Sequence, residues 1–246
     1  MRGAIFIALA TIATASADAA ESKWSLSLGL GSSEWGFDRA RIDDVTRHAL
    51  GSVGSNAQTP GTTGFDDRDS AWSLGVDYRA WRYLALEAAY VDLGNAAGRY
   101  TGHAARFSRS PLGPPPPFFP ASATLEVESR GFKIGASGIL PLGEHFDLHA
   151  NLGLFIARTE SEWGANWVTP QVQEDSGSEV RDSQEITYGI GAAFRFLDRW
   201  SLSLDWQRYA DVVVGEEKLD GFNLGWTPSD LKGNVDALTL SLRLTL

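Results

Sequence analysis

From Trp24 to Leu30, apolar side chains occupy every second position, with Ser25, Ser27 and Gly29 between them. A period of two is the repeat of a β-strand, whose successive side chains point to opposite faces. The pattern returns along the chain. Trp72, Leu74, Val76 and Tyr78 alternate with Ser73, Gly75, Asp77 and Arg79, and Leu84, Leu86, Ala88 and Tyr90 alternate with Ala85, Glu87, Ala89 and Val91. Phe132, Ile134, Ala136 and Leu140 stand against Lys133, Gly135 and Ser137, and Phe146 to Ile156 repeats the pattern with Asp147, His149, Asn151 and Gly153. Ile186 to Phe194, Trp200 to Trp206 and Leu238 to Leu246 complete eight such runs. Helical spacing of apolar residues is nearly absent. Strands of about nine to eleven residues have the length that a tilted strand needs to cross a bilayer.

The links between runs are of two kinds. Three are tight, around residues 81–82, 141–145 and 197–199, and four are long, over 36–69, 95–125, 158–185 and 208–235. Alternation of short turns with long loops predicts an all-β fold, an eight-stranded antiparallel up-and-down transmembrane β-barrel with both termini on the short-turn side. A soluble barrel has no reason to sort its loops in this way. Its outer face would also be dense in Lys and Glu, as in a lipocalin-like binder, whereas the polar parity here is mostly Ser, Gly, Thr and Ala. Small residues suit a crowded, narrow lumen. The Leu, Val and Ile parity therefore meets lipid, with Trp24, Trp72, Trp200 and Trp206 as interfacial girdle residues.

Composition refines this picture at the ends of the chain and in its choice of partners. Arg2, the apolar run from Ala4 to Ala13, and the small-residue sites Ala15-Ser16-Ala17 and Ala17-Asp18-Ala19 have the layout of a secretory signal peptide. Residues 1–20 are expected to be the signal and 21–246 the barrel. The formal charge of −10 speaks against a nucleic-acid partner, and with no Cys a disulfide or a thiolate metal site is excluded. No spacing of His and acids matches a zinc or EF-hand site, and no Gly-rich phosphate loop leads into a helix, so no cofactor is expected.

The strands themselves resemble the transmembrane domain of OmpA-like outer-membrane proteins. YLALEAAYVDLG, with Glu87, Tyr90 and Gly94, is similar to that family's third strand. The stretch from Arg130 to Glu160, with Gly131, Pro141, Leu152-Gly153 and Arg158, is similar to its fourth and fifth, and ITYGIGAAFRF and LSLDWQRY resemble the sixth and seventh. The resemblance covers the strands and none of the long loops. It implies a monomer in the outer membrane of a Gram-negative cell, in contact with its lipid and lipopolysaccharide and inserted by the barrel-assembly machinery. The chain departs from the family pattern by ending at Leu246, with no peptidoglycan-binding domain after the last strand and no terminal aromatic residue.

Parity places Asp77, Glu87, Asp147 and Asp205 in the lumen with Arg79, Lys133, Arg195 and Arg243. Buried charges are costly unless paired or hydrated, and this set is balanced. Depth counted from the short turns puts Glu87, Lys133, Asp205 and Arg243 at middle levels, and Arg79, Asp147 and Arg195 near the periplasmic mouth. Two roles follow: a fixed ion-paired plug that sets register, or a gate on a small pore. The resemblance implies the gate, in which a lumenal Glu exchanges between Lys and Arg partners. The positions that match those partners are Ser137 and Ser203 here, so Lys133 or Arg243 would have to pair with Glu87.

The loops hold further candidates. SPLGPPPPFFP over 110–120 predicts polyproline II with Phe118 and Phe119 displayed, a rigid spacer or a recognition surface for an extracellular ligand. DRARIDDVTRHAL in the first loop predicts a short helix, and Glu160, Glu162, Glu174, Asp175, Glu179 and Asp182 make the third loop acidic. A lipid-modifying enzyme would need a nucleophile and base side by side and accessible to lipid. None of His48, His103, His145 and His149 has an outward Ser partner by strand register. The sequence thus reads as a non-enzymatic outer-membrane barrel with a structural or surface-interaction role, and a small pore as the second reading.

Overall fold

In a computed structural model of the chain, residues 23–36, 55–58, 62–106, 119–168, 172–215 and 231–246 are described. They form ten strands: β1 (Trp24–Gly36), β2 (Ser55–Gln58), β3 (Thr62–Asp66), β4 (Arg68–Trp81), β5 (Leu84–Arg106), β6 (Phe119–Pro141), β7 (Phe146–Val168), β8 (Val172–Leu197), β9 (Trp200–Gly215) and β10 (Leu231–Thr245). Eight of them close a ring in which every neighbouring pair is antiparallel, from β1 through β4 to β10 and back to β1. The short β2 and β3 lie off the ring and pair with the far end of β5. The predicted signal peptide and the predicted helix over 38–50 lie outside the described residues.

The fold is inside-out relative to a soluble protein. Leu30, Leu152 and Ile190 are 59%, 63% and 61% exposed, while Ser129, Phe155 and Thr187 on the other parity are fully buried. Lipid supplies the environment that a core would otherwise supply, so the strands need bury only their inward face. The apolar band covers five outward positions on β10, from Leu238 to Leu246, which is roughly 20–25 Å of height for a tilted strand. Aromatic contacts mark both margins. Trp24 packs on Tyr78, and Phe146 on Phe194, at the short-turn end; Trp72, Tyr90 and Phe132 form a chain at the other end, beside Tyr188 and Trp206.

Charge begins directly above the band. The outward residues following the last apolar ones are Asp92 on β5, Arg130 on β6, Arg158 on β7, Arg208 on β9 and Asp236 on β10. Arg208 holds Asp236 through two hydrogen bonds of 2.7 and 2.6 Å and lies over the Trp206 ring, and the bond to Asp236 pushes its guanidinium still further above its ordinary range.

Where they are described, the regions read from sequence as loops are largely strand. β5 continues to Arg106 and β6 starts at Phe119, so the backbone of Phe119 and Pro120 belongs to a ladder opposite Ala104 and His103, while the rest of the predicted polyproline segment, 110–118, lies outside the described residues. The acidic third loop is likewise a hairpin, in which β7 and β8 stay paired from Val168 opposite Val172 down to the membrane. One bulge helps this extension. At Gly94 the backbone takes a φ of 67°, and a side chain there would meet the Ser70 carbonyl at 2.5 Å. Asp92 accepts from the Gly94 amide and Asp69 from that of Asn95, each at 2.9 Å, so the residues flanking the glycine fix the bend.

Candidate functional site

The lumen divides into a charged lower layer and an upper one in which an apolar cluster sits among the buried polar side chains of Ser33, Ser129, Thr159 and Glu185. Bulk is unevenly supplied around it. β1 and β4 present Ser27, Gly29, Ser73 and Gly75 inward, where side chains added to the two glycines would press on Ser73 and Ser27. The opposite wall supplies the long side chains that fill the space.

Lys133 on β6 lies within 3.1 Å of the Glu87 carboxylate and donates also to the Gln207 Oε1 at 3.1 Å. Gln207 in turn donates through Nε2 to the Thr187 hydroxyl at 2.5 Å. A continuous polar chain therefore crosses the lumen from β5 to β8. Glu87 stands directly opposite Gly135, whose lack of a side chain leaves room for Lys133 to reach it on the diagonal.

Two other pairs join strands that are not neighbours. Arg243 on β10 lies 3.0 Å from Asp77 on β4, reaching over the small inward residues of β1. His149 on β7 hydrogen-bonds Asp205 on β9 across β8, and Ser203 donates to the other Asp205 oxygen at 2.8 Å. A side chain at Gly191 of β8 would fall on both His149 and Asp205, so this contact needs glycine there. Near the short turns, Arg195 binds Asp147 at 3.2 Å and the Glu144 carbonyl at 3.1 Å, while Arg79 turns to the Arg82 carbonyl.

Of the eight lumenal charges read from sequence, the structure thus brings together Glu87 with Lys133, Asp77 with Arg243, and Asp147 with Arg195. Asp205 takes His149 as its partner, a residue that parity had placed in the lumen without assigning it a role. Asp77, Glu87, Lys133, His149, Asp205 and Arg243 line a cavity of about 70 Å³. Such a space has the polar partners that internal water requires.

Above this layer the interior changes character. Trp35, Leu93, Phe155, Tyr209, Val212 and Val235 pack into one cluster with exposures of 0–3%. Phe155 and Tyr209 meet edge to face at 4.8 Å. Sequence reading passed over this cap, because five of its residues occupy the parity otherwise taken by Ser, Gly and charge, and the sixth, Val212, turns inward only through the β9 irregularity at Asp211, where φ is 56°. The available signal was the presence of Trp35, Phe155 and Tyr209 on that parity.

Ser203 donates to the Asp205 carboxylate and not to the His149 imidazole. Among the described residues no group of three or more acids and histidines could hold a metal ion.

Solved structures similar in fold include the Neisserial surface protein A, NspA (9% identity, TM-score 0.43, 92% of this chain and 98% of that one). The attachment invasion locus protein Ail of Yersinia pestis matches at 14% identity and a TM-score of 0.38, over 91% of this chain and 99% of that one. The outer membrane protease OmpT of Escherichia coli matches at 11% identity and a TM-score of 0.38, over 94% and 99%. No curated protein matches the sequence. The model of the outer membrane protein β-barrel domain, by contrast, matches residues 4–243, nearly the whole chain, and with the closed antiparallel ring and its lipid-facing band this protein belongs to that outer-membrane family.

Proposed function

We propose that this protein is a non-catalytic outer-membrane barrel that holds a rigid β-sheet above the membrane for contact with the cell's surroundings. The observation that carries this reading is the continuation of β5 to β8 well past the lipid band, to Arg106, Phe119, Val168 and Val172. A barrel needed only to seal or stiffen the membrane could end its strands at the headgroups. The protruding sheet has a buried inner side, with Ala123, Val127 and Thr159, and a charged outer side with Glu126, Glu128, Glu160 and Glu162. Arg130, Arg158 and Arg208 stand at headgroup level, in keeping with contact to phosphates of outer-leaflet glycolipid. Residues 1–20 are read as the export signal, which N-terminal sequencing of the membrane-inserted protein would locate.

The reading is tested by replacing 161–179 with an Asn-Gly turn, which leaves Glu160 opposite Val180 as in the intact hairpin. The trimmed protein should still run as a folded barrel on an unboiled gel and leave detergent resistance of the cells unchanged, while adhesion to epithelial cells falls to that of the deletion strain. Equal adhesion by the trimmed and full-length proteins would overturn it. A small pore remains the second reading, favoured by the polar cavity around Lys133 and Glu87.

A further inference from the structure

The charged layer and the apolar cap divide the lumen, and only one of them is suited to stop water and ions. The layer around Glu87, Lys133, His149 and Asp205 encloses a cavity lined by donors and acceptors, and a hydrated ion entering it would find replacements for its water shell. Breaking one ion pair there would widen a space that is already hospitable to water. The cap is different in kind. Phe155, Leu93, Val212 and Val235 have no exposed surface and Trp35 and Tyr209 have 1% and 3%; apart from the indole N–H and the phenol their side chains carry no polar atoms, and the one buried acid beside them is Glu185 of β8, opposite Phe155. An apolar constriction closes a channel by excluding water from it, without any blocking charge.

We propose that the permeability barrier of this barrel is the apolar cap of Trp35, Leu93, Phe155, Tyr209, Val212 and Val235, and that the ion pairs beneath it are not the gate. Leu93, Tyr209 and Val235 of the cap adjoin Asp92, Arg208 and Asp236 at the upper edge of the band, and Phe155 lies just inside it, between the outward Leu154 and Ile156. Lys133 stands opposite Phe155, and Tyr209 follows two positions after Gln207, so the polar chain ends where the cap begins. The lumen is in effect a polar chamber under an apolar lid built from strand side chains. This inference is independent of the surface-contact role and holds or fails separately from it.

Full-length protein reconstituted in planar lipid bilayers tests the assignment with three double variants, each first confirmed as folded by its unboiled mobility. Phe155→Ala with Tyr209→Ala removes the two contacting rings, Val212→Thr with Val235→Thr hydrates the lid with little change in shape, and Glu87→Gln with Lys133→Met removes the central ion pair. Wild type and the ion-pair variant should stay at the same low baseline. The ring-deleted variant should raise time-averaged conductance by about tenfold or more, with the threonine variant in between. The threonine variant keeps the test decisive if loss of both rings prevents folding. Conductance rising in the ion-pair variant, or staying at baseline in the folded lid variants, would overturn the proposal.

Discussion

β6 and β7 are each one unbroken strand, yet their two halves obey opposite rules. Below Arg130 and Arg158, the outward side chains are Phe132, Ile134, Leu154 and Ile156, and the inward ones include Lys133, Gly135 and Asn151. Above that level the outward positions carry Glu126, Glu128, Glu160 and Glu162, and the inward ones Ala123, Leu125 and Val127 on β6 with Thr159 and Ser161 on β7. Parity never slips between the halves, because the register of the pair is continuous from Ala121 to Pro141. What reverses is the solvent. A strand has no intrinsic inside, and the side that takes the apolar residues is set by whether lipid or water lies beyond it.

The sharpest way to break this comparison is to place the same charge on the same face of both halves. Leu152→Arg at the middle of the band should cost about 2–4 kcal/mol, whereas Glu162→Arg on the protruding half should stay within about 0.5 kcal/mol. Urea unfolding in lipid vesicles, followed by tryptophan fluorescence, measures both. Similar losses at the two positions would mean that the band has been drawn in the wrong place.

A smaller effect is expected inside the lower half. Lys133→Met leaves Glu87 buried without its cation and should cost about 1–3 kcal/mol, much of which the added Glu87→Leu should restore. A double-mutant cycle on the same assay separates this coupling from loss of packing, and additive losses would remove the pair from the description. The smallest effect belongs to the boundary itself. Arg208→Ala loses Asp236 and the Trp206 face, but the pair is about one-third exposed, so a loss of about 0.5–1 kcal/mol is expected and should shrink in high salt.

How far the chain could be read in advance follows the same division. In the membrane half, contrast between Leu and Ser at period two was strong enough to locate every barrel strand and to turn Glu87 inward. The protruding halves of β5 to β8 escaped because charge and Ser on the outer face, against Ala, Gly and Ser on the inner, give little contrast for a periodicity to detect. Adjacency of β5 and β6 put Lys133 among the two candidate partners of Glu87, with Arg243 the other, and the sequence did not choose between them. Asp77 with Arg243, and His149 with Asp205, each reach over an intervening strand, and their meeting depends on how closely the small inward side chains of β1 and the Gly191 backbone let the walls approach. That distance is a property of the closed ring and is not written in any single strand.

The pairing of β1 with β10 also governs the order in which the molecule can be made. Ser25 and Thr245 touch through their hydroxyls at 3.3 Å across a sequence separation of 220 residues, and Leu246 donates its amide to the Trp24 carbonyl at 3.0 Å. No other seam in the ring joins such distant parts of the chain, so this contact carries the largest entropic delay. Until the last strand is present, the other seven form a curved sheet with two bare rows of amides and carbonyls, which hydrocarbon cannot satisfy. Insertion is therefore tied to synthesis of β10, and a chain released before that strand is made is left as a sheet that neither membrane nor water will accommodate.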